Sequence, residues 1–222
     1  MTDQAYIDGI VTLIGNYRRT EMTKPLDAAH VKRWVNQFDL EERSTVLQGT
    51  FGALCRYYLK EEQMHTLLDQ ILNCITEKQG LNDIVFVCTQ EKGGSQSRIY
   101  DYIAAKKSVC FQSDHFTDIS KLYVYIDDGL YSGRRAREDV CKLISLLPQG
   151  AQLQVHYMIA FNDGFEYWSN RLIKEGAEKG VDISFFCQIQ YINKRKVKSE
   201  KYELGLRTKS WTSARRETDV LL

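Results

Sequence analysis

The sequence predicts an α/β protein in which a doubly wound, mostly parallel sheet is preceded by an all-helical N-terminal region. Three observations carry this. From Ile84 onward β-prone runs alternate with helix-period segments, the pattern of strands joined by crossover helices. Before that point apolar residues recur at helical spacing only. Third, Asp127-Asp128-Gly129 follows an apolar run and precedes a helix, which is where an open α/β sheet meets its ligands.

The elements follow in order. Tyr6, Ile10, Leu13, Ile14 and Tyr17 share one helical face, and Pro25 ends that pattern. Asp27 can cap a second helix with Val31, Trp34, Val35 and Phe38 inward. A third is expected from about Glu41 to Tyr58, with Leu47, Phe51, Leu54, Cys55 and Tyr58 inward. A fourth starts near Glu61 with Met64, Leu67, Leu68, Ile71, Leu72 and Ile75. These helices make residues 1–81 a helical region, a cap or partner-docking module. No Gly/Ser linker separates it from residues 82–192.

The period then changes. Ile84–Cys88 reads as a strand covered on both faces, followed by a loop and a helix over IYDYIAAKK. Further strands are expected at 109–111, 122–126, 153–160 and 183–191, with helices from about Arg134 to Leu147 and Phe165 to Lys179. Phe161 to Gly164 reads as an Asn-Asp-Gly turn or as a rim segment beside the ligand.

Composition narrows the class. A 43% hydrophobic and 11% aromatic content is that of a globular chain, and a net charge of +1 gives no global bias toward nucleic acid. The six cysteines show no Cys-x-x-Cys spacing and mostly lie in apolar stretches, so reduced, buried thiols and no zinc site are expected. There is no run long enough for a transmembrane helix and no signal-peptide pattern, so the expectation is a cytoplasmic protein with no membrane role. The tail, residues 193–222, is basic with Tyr202 and Trp211 interleaved. It reads as a solvated terminus or as a nucleic-acid contact.

The chemistry concentrates in KLYVYIDDGLYSGRRAR, Lys121 to Arg137. Val124 to Ile126 end a buried strand, Asp127 and Asp128 place two carboxylates at its carboxyl end, and Ser132-Gly133 bring backbone donors to a helix N-terminus, which suits phosphate. Acids beside an anion cradle match a sugar phosphate, whereas as plain structure they would be turn and N-cap residues. Glu91 to Arg98 form a second loop after the first strand. Gly93-Gly94 allow close backbone approach, Ser95 and Ser97 add donors, and Lys92 and Arg98 add charge. A Gly-Gly loop is also an ordinary flexible turn.

The hydrophobic run, Asp-Asp, variable residues and Ser-Gly resemble the phosphoribosyl-diphosphate signature of type I phosphoribosyltransferases. The Ser-Gly form after a helical leader is similar to divergent phosphoribosyltransferase-like proteins of bacterial conflict and anti-phage systems. The resemblance covers roughly residues 82–192. It departs from the family at Tyr131 and Arg135, where hydroxyl residues are usual. It implies that Asp127 and Asp128 are catalytic and hold ribose hydroxyls, that Gly129, Leu130, Tyr131, Ser132, Gly133, Arg134 and Arg135 bind the ribose phosphate, and that Lys92, Gly93, Gly94, Ser95 and Arg98 bind diphosphate. It further implies phosphoribosyl diphosphate or a nucleotide as ligand, substrate-bridged Mg2+, and transfer or cleavage of a phosphoribosyl group. A non-catalytic nucleotide sensor is the alternative. A mobile cover near His115 would be usual, but the Ser113 to Asp118 segment is short for one.

Overall fold

The computed structural model describes residues 1–17, 26–77, 79–90, 94–106, 110–112 and 114–192 of the 222-residue chain. Pro25, Lys92, Gly93, Ser113 and the basic tail lie outside the described residues. The described residues fall into two compact units, within Met1–Lys60 and Glu61–Lys196.

The first unit is helical: α1 (Asp3–Ile14), α2 (Ala28–Val35) and α3 (Arg43–Tyr57). Thr2 caps α1 by accepting from Ala5 N–H. Asp27 caps α2 as expected, its carboxylate accepting from His30 N–H at 2.7 Å. Ile7, Ile10 and Ile14 bury against Leu26, Val31, Val35, Val46 and Leu47, with Trp34, Phe38, Phe51 and Tyr58 packed around them.

The second unit begins with α4 (Glu61–Thr76) and holds β1 (Ile84–Val87), α5 (Ser95–Lys106), β2 (Cys110–Gln112), β3 (Leu122–Leu130), α6 (Arg134–Leu146), β4 (Gln152–Phe161), α7 (Asn162–Glu178) and β5 (Asp182–Tyr191). All pairings in the five-stranded sheet are parallel, in the order β2-β1-β3-β4-β5. The order reverses between β1 and β3, so the loops leaving those two strands face each other across a topological switch point. Strand alternation sorts the core. Val85, Tyr123, Tyr125, Leu153 and Val155 pack with Val140 and Leu143 of α6 and Leu172 of α7. On the opposite face Phe86 meets Tyr100 of α5, and α4 packs against α5 and β4.

Five expectations need correction. The fourth helix belongs to the sheet unit, because a helical stripe records that a face is apolar but not which surface covers it. Strand β3 does not stop at Ile126. Its pairing with β4 continues through Gly129 with Ile159 and Leu130 with Ala160, so the acids stand inside the last turn of the pleat. Helix α5 starts at Ser95, which puts Ser95, Ser97 and Arg98 in a helix instead of a loop. Asn162 to Gly164 form the first turn of α7, so there is no separate Asn-Asp-Gly turn. The thiols are free, but none is fully buried: Cys55, Cys74 and Cys110 are exposed and Cys88, Cys141 and Cys187 half-buried.

Candidate functional site at the switch point

The loop between β3 and α6 is short. After Leu130 only Tyr131, Ser132 and Gly133 intervene before α6. Gly133 has φ 74°, a left-handed conformation that glycine adopts without cost, and a Cβ there would come 1.9 Å from Trp168 Cδ1. Trp168 Nε1–H donates to Ser132 C=O at 3.1 Å, so an indole from α7 forms the wall of the loop. Gly129, Leu130, Tyr131, Ser132, Gly133, Arg135 and Ala136 line a hollow of about 100 Å³ at the start of α6. The ring of Tyr131, 57% exposed, leans on Phe161 at 5.6 Å, and Phe161 on Tyr191 at 6.1 Å.

The two arginines differ. Arg134 is exposed and pairs with Glu138 at 3.1 Å. Arg135 lines the hollow and sits with Nε 3.4 Å from Asp139 Oδ2, a carboxylate that is itself buried.

The two acids differ as well. Asp128 is half-buried at the strand end. Asp127 is only 4% exposed and is tied on every side. Its Oδ1 accepts from Ser95 Oγ at 2.9 Å and from Asp128 N–H at 2.9 Å. Its Oδ2 lies 3.1 Å from Gln90 Nε2 and 3.0 Å from Tyr125 OH. Burial, reinforced by the neighbouring Asp128 charge, pushes the Asp127 carboxyl up to about 7.

Sequence reasoning missed the group that shapes the facing loop. Gln96 is 1% exposed, and its side-chain carbonyl accepts from Thr89 N–H at 2.8 Å and Gln90 N–H at 3.2 Å, while its amide reaches Tyr100 OH and Ile126 C=O. Tyr100 OH in turn donates to Val87 C=O at 2.6 Å. The Gln-x-x-x-Tyr spacing placed both on one helical face, but nothing local said that the face would meet the ends of β1 and β3. A second hollow of about 250 Å³ lies beside this network, lined by Cys88, Gln90, Gln96, Ser97, Tyr100, Asp101, Ala104 and Phe111.

Of the expected diphosphate residues, Ser95 is spent on Asp127, Gly94 opens α5, and Arg98 is exposed one turn along it. Near His115, exposed and at φ 56°, Phe116 is buried edge-on against Tyr123. No group of three or more His, Cys, Asp or Glu able to hold a metal occurs among the described residues. The carboxylates present suit an ion carried by its ligand's phosphates and waters, with no protein cage.

The profile of the PRTase-CE family matches residues 31–216, which is more than half of the chain. The chain belongs to the PRTase-CE family. That membership bears out the type I phosphoribosyltransferase-like resemblance at the level of the family. None of the curated proteins matches. Among solved structures this PRTase-CE chain is similar to a hypoxanthine-guanine-xanthine phosphoribosyltransferase, at 14% identity over 58% of this chain and 74% of that one with a TM-score of 0.38. It is similar to the adenine phosphoribosyltransferase of Leishmania tarentolae, at 12% identity over 59% and 72% with a TM-score of 0.41. It is also similar to the Mycobacterium tuberculosis orotate phosphoribosyltransferase in complex with 5-phospho-α-D-ribosyl 1-diphosphate, at 10% over 73% and 87% with a TM-score of 0.37. No helix among the described residues is long and apolar enough to cross a membrane.

Proposed function

We propose that the switch-point rim binds phosphoribosyl diphosphate or a nucleotide and transfers or cleaves its phosphoribosyl group. The observation that carries this is the adjacency of Asp127 and Asp128, at the end of β3, to the hollow of Gly129 to Gly133 and Arg135. Free backbone N–H groups at the start of α6 and the Arg135 guanidinium suit a 5′-phosphate. The acids beside them suit ribose hydroxyls. In transfer, the bond from the anomeric carbon to diphosphate oxygen breaks with its electron pair leaving on diphosphate. A bond to the acceptor nitrogen forms, and that nitrogen's proton passes to the departing diphosphate. Asp127 and Asp128 offset the positive charge that develops on the ribose. Magnesium arriving with the diphosphate would supply charge neutralisation on the leaving group. Lys92 and Arg98 are the side chains we assign to that leaving group.

The helical leader together with the Ser132-Gly133 form supports a role in a bacterial anti-phage or conflict system in the cytoplasm. In that role residues 1–81 would engage a protein partner and the basic tail from Asn193 a nucleic acid.

One observation favours a second reading as a nucleotide sensor without turnover. Asp127 is buried and already satisfied, and Tyr131 occupies a position where the family carries a small hydroxyl. Incubation of the pure protein with phosphoribosyl diphosphate, NAD and nucleoside monophosphates plus magnesium decides between them. Turnover establishes the enzyme, saturable protection from melting without turnover establishes the sensor, and neither result refutes both.

A further inference from the structure

Beneath the phosphate hollow lies a buried chain of groups that the reading above does not use. Tyr125 OH stands 3.0 Å from Asp127 Oδ2 and 3.1 Å from Asp139 Oδ2. Tyr125 and Asp127 are two residues apart on β3 and so share a face, while Asp139 comes from α6. Asp139 is 7% exposed, with Arg135 Nε at 3.4 Å. Asp127 is the register partner of Tyr157 on β4, whose hydroxyl is buried without a hydrogen-bond partner among the described residues.

A proton count limits this arrangement. A neutral phenol has one proton and can donate to one carboxylate only. Its second contact is a hydrogen bond only if the other carboxyl is protonated and donates to the phenol oxygen. The Tyr125 phenol is kept neutral, because burial and then Asp127 push it well above its ordinary range. With both contacts at hydrogen-bond distance, the two carboxyls share one proton through Tyr125 below about pH 7.

The surroundings decide where that proton rests. Asp139 faces the Arg135 cation. Asp127 faces Asp128 on its own strand, Tyr157 on β4, Tyr100 on α5, and Asp139 and Arg135 across Tyr125 from α6, with no cation in direct contact among the described residues. Below about pH 7 the free protein therefore keeps the proton on Asp127, away from the Arg135 cation that pairs with Asp139.

Arg135 belongs to both ends of this chain, since it lines the hollow and pairs with Asp139. We propose that a phosphate entering the hollow draws Arg135 from Asp139 and so moves one proton from Asp127 through Tyr125 to Asp139, ionising Asp127 on loading where the free protein keeps it protonated. The Asp127 proton passes to the Tyr125 oxygen while the Tyr125 proton passes to Asp139 Oδ2. The phenol is neutral before and after, and no proton is exchanged with solvent. Tyr125 and Asp139 are thus positioning residues that couple the phosphate end of the ligand to its ribose end. This rests on the phosphate-binding reading above.

The test is carboxyl-carbon NMR of aspartate-labelled protein at pH 6, with Asp127 and Asp139 assigned through Asp127→Asn and Asp139→Asn, and with ribose 5-phosphate as probe. The free protein should show Asp127 protonated and Asp139 ionised, and saturating ribose 5-phosphate should exchange the two states. In Tyr125→Phe and in Asp139→Asn, ribose 5-phosphate should still shift the Ser132 and Gly133 amides while Asp127 stays protonated. An Asp127 ionised in the free protein, or unchanged while those amides shift, overturns the coupling and leaves the phosphate site standing. Ser132 and Gly133 amides that do not respond to ribose 5-phosphate overturn the phosphate site itself, and the coupling with it.

Discussion

The Ser95 hydroxyl donates to the Asp127 carboxylate at 2.9 Å across 32 positions of sequence, and so ties the first turn of α5 to the end of β3. This bond closes the switch point from beneath. It also gives Ser95, expected on a diphosphate, a structural task. Ser95→Ala should cost about 1–2 kcal/mol in urea unfolding, the usual size of a lost bond to a charged or partly charged group. It should also raise the Asp127 pKa, since this bond favours the ionised form. A carboxyl titration unchanged by the substitution would refute the second part.

Asp127 predicts a pH dependence of stability with a definite sign. Its folded pKa, about 7, lies above the unfolded value near 4. Stability from this group is complete below about pH 4, is lost as pH rises to about 7, and is flat above. The loss is on the order of 4 kcal/mol at most. Asp127→Asn should abolish that slope and make the variant relatively more stable at pH 8 than at pH 5. Chemical denaturation at both values checks it. Half-buried Asp128 should cost less to replace than Asp127.

Gly133→Ala should destabilise by more than about 2 kcal/mol, combining left-handed strain of about 1–2 kcal/mol with the clash on Trp168. Adding Trp168→Ala should recover the clash portion and leave the strain. Strictly additive losses in the double-mutant cycle would show that Trp168 is not the obstacle.

Gln96→Leu keeps the volume and removes the acceptor for Thr89 and Gln90 N–H. Each orphaned donor costs about 1–3 kcal/mol. Hydrogen exchange should accelerate at those two amides well beyond the global change, whereas a uniform acceleration would argue against a local role.

Arg135→Ala should weaken ribose 5-phosphate binding by more than about 1 kcal/mol, and Arg134→Ala by clearly less, because only Arg135 lines the hollow. Calorimetry on the two single variants, with ribose as the uncharged control, measures the difference. Equal effects would show that neither reads the phosphate specifically.

The sequence by itself determined the fold class and singled out the stretch that carries the candidate site. Continuous β-prone runs, helical stripes of period three to four, and Asp127-Asp128 followed by Ser132-Gly133 are all local patterns, and local spacing is what a single chain displays directly. Tertiary structure alone decided what those residues touch. Whether Ser95 faces a ligand or Asp127, whether Asp127 is bare or buried, and whether Arg134 or Arg135 enters the hollow all depend on contacts between α5, β3 and α6. The same holds for α4, whose apolar face was evident but whose partner was not. Gln96 and Asp139 gave no signal in the sequence, because an isolated polar residue on a helix reads as exposed, and Tyr125 read only as part of a buried strand. Only the closing of β1, β3 and α6 around them, which removes water and leaves each donor and acceptor to find a protein partner, makes them the frame of the site.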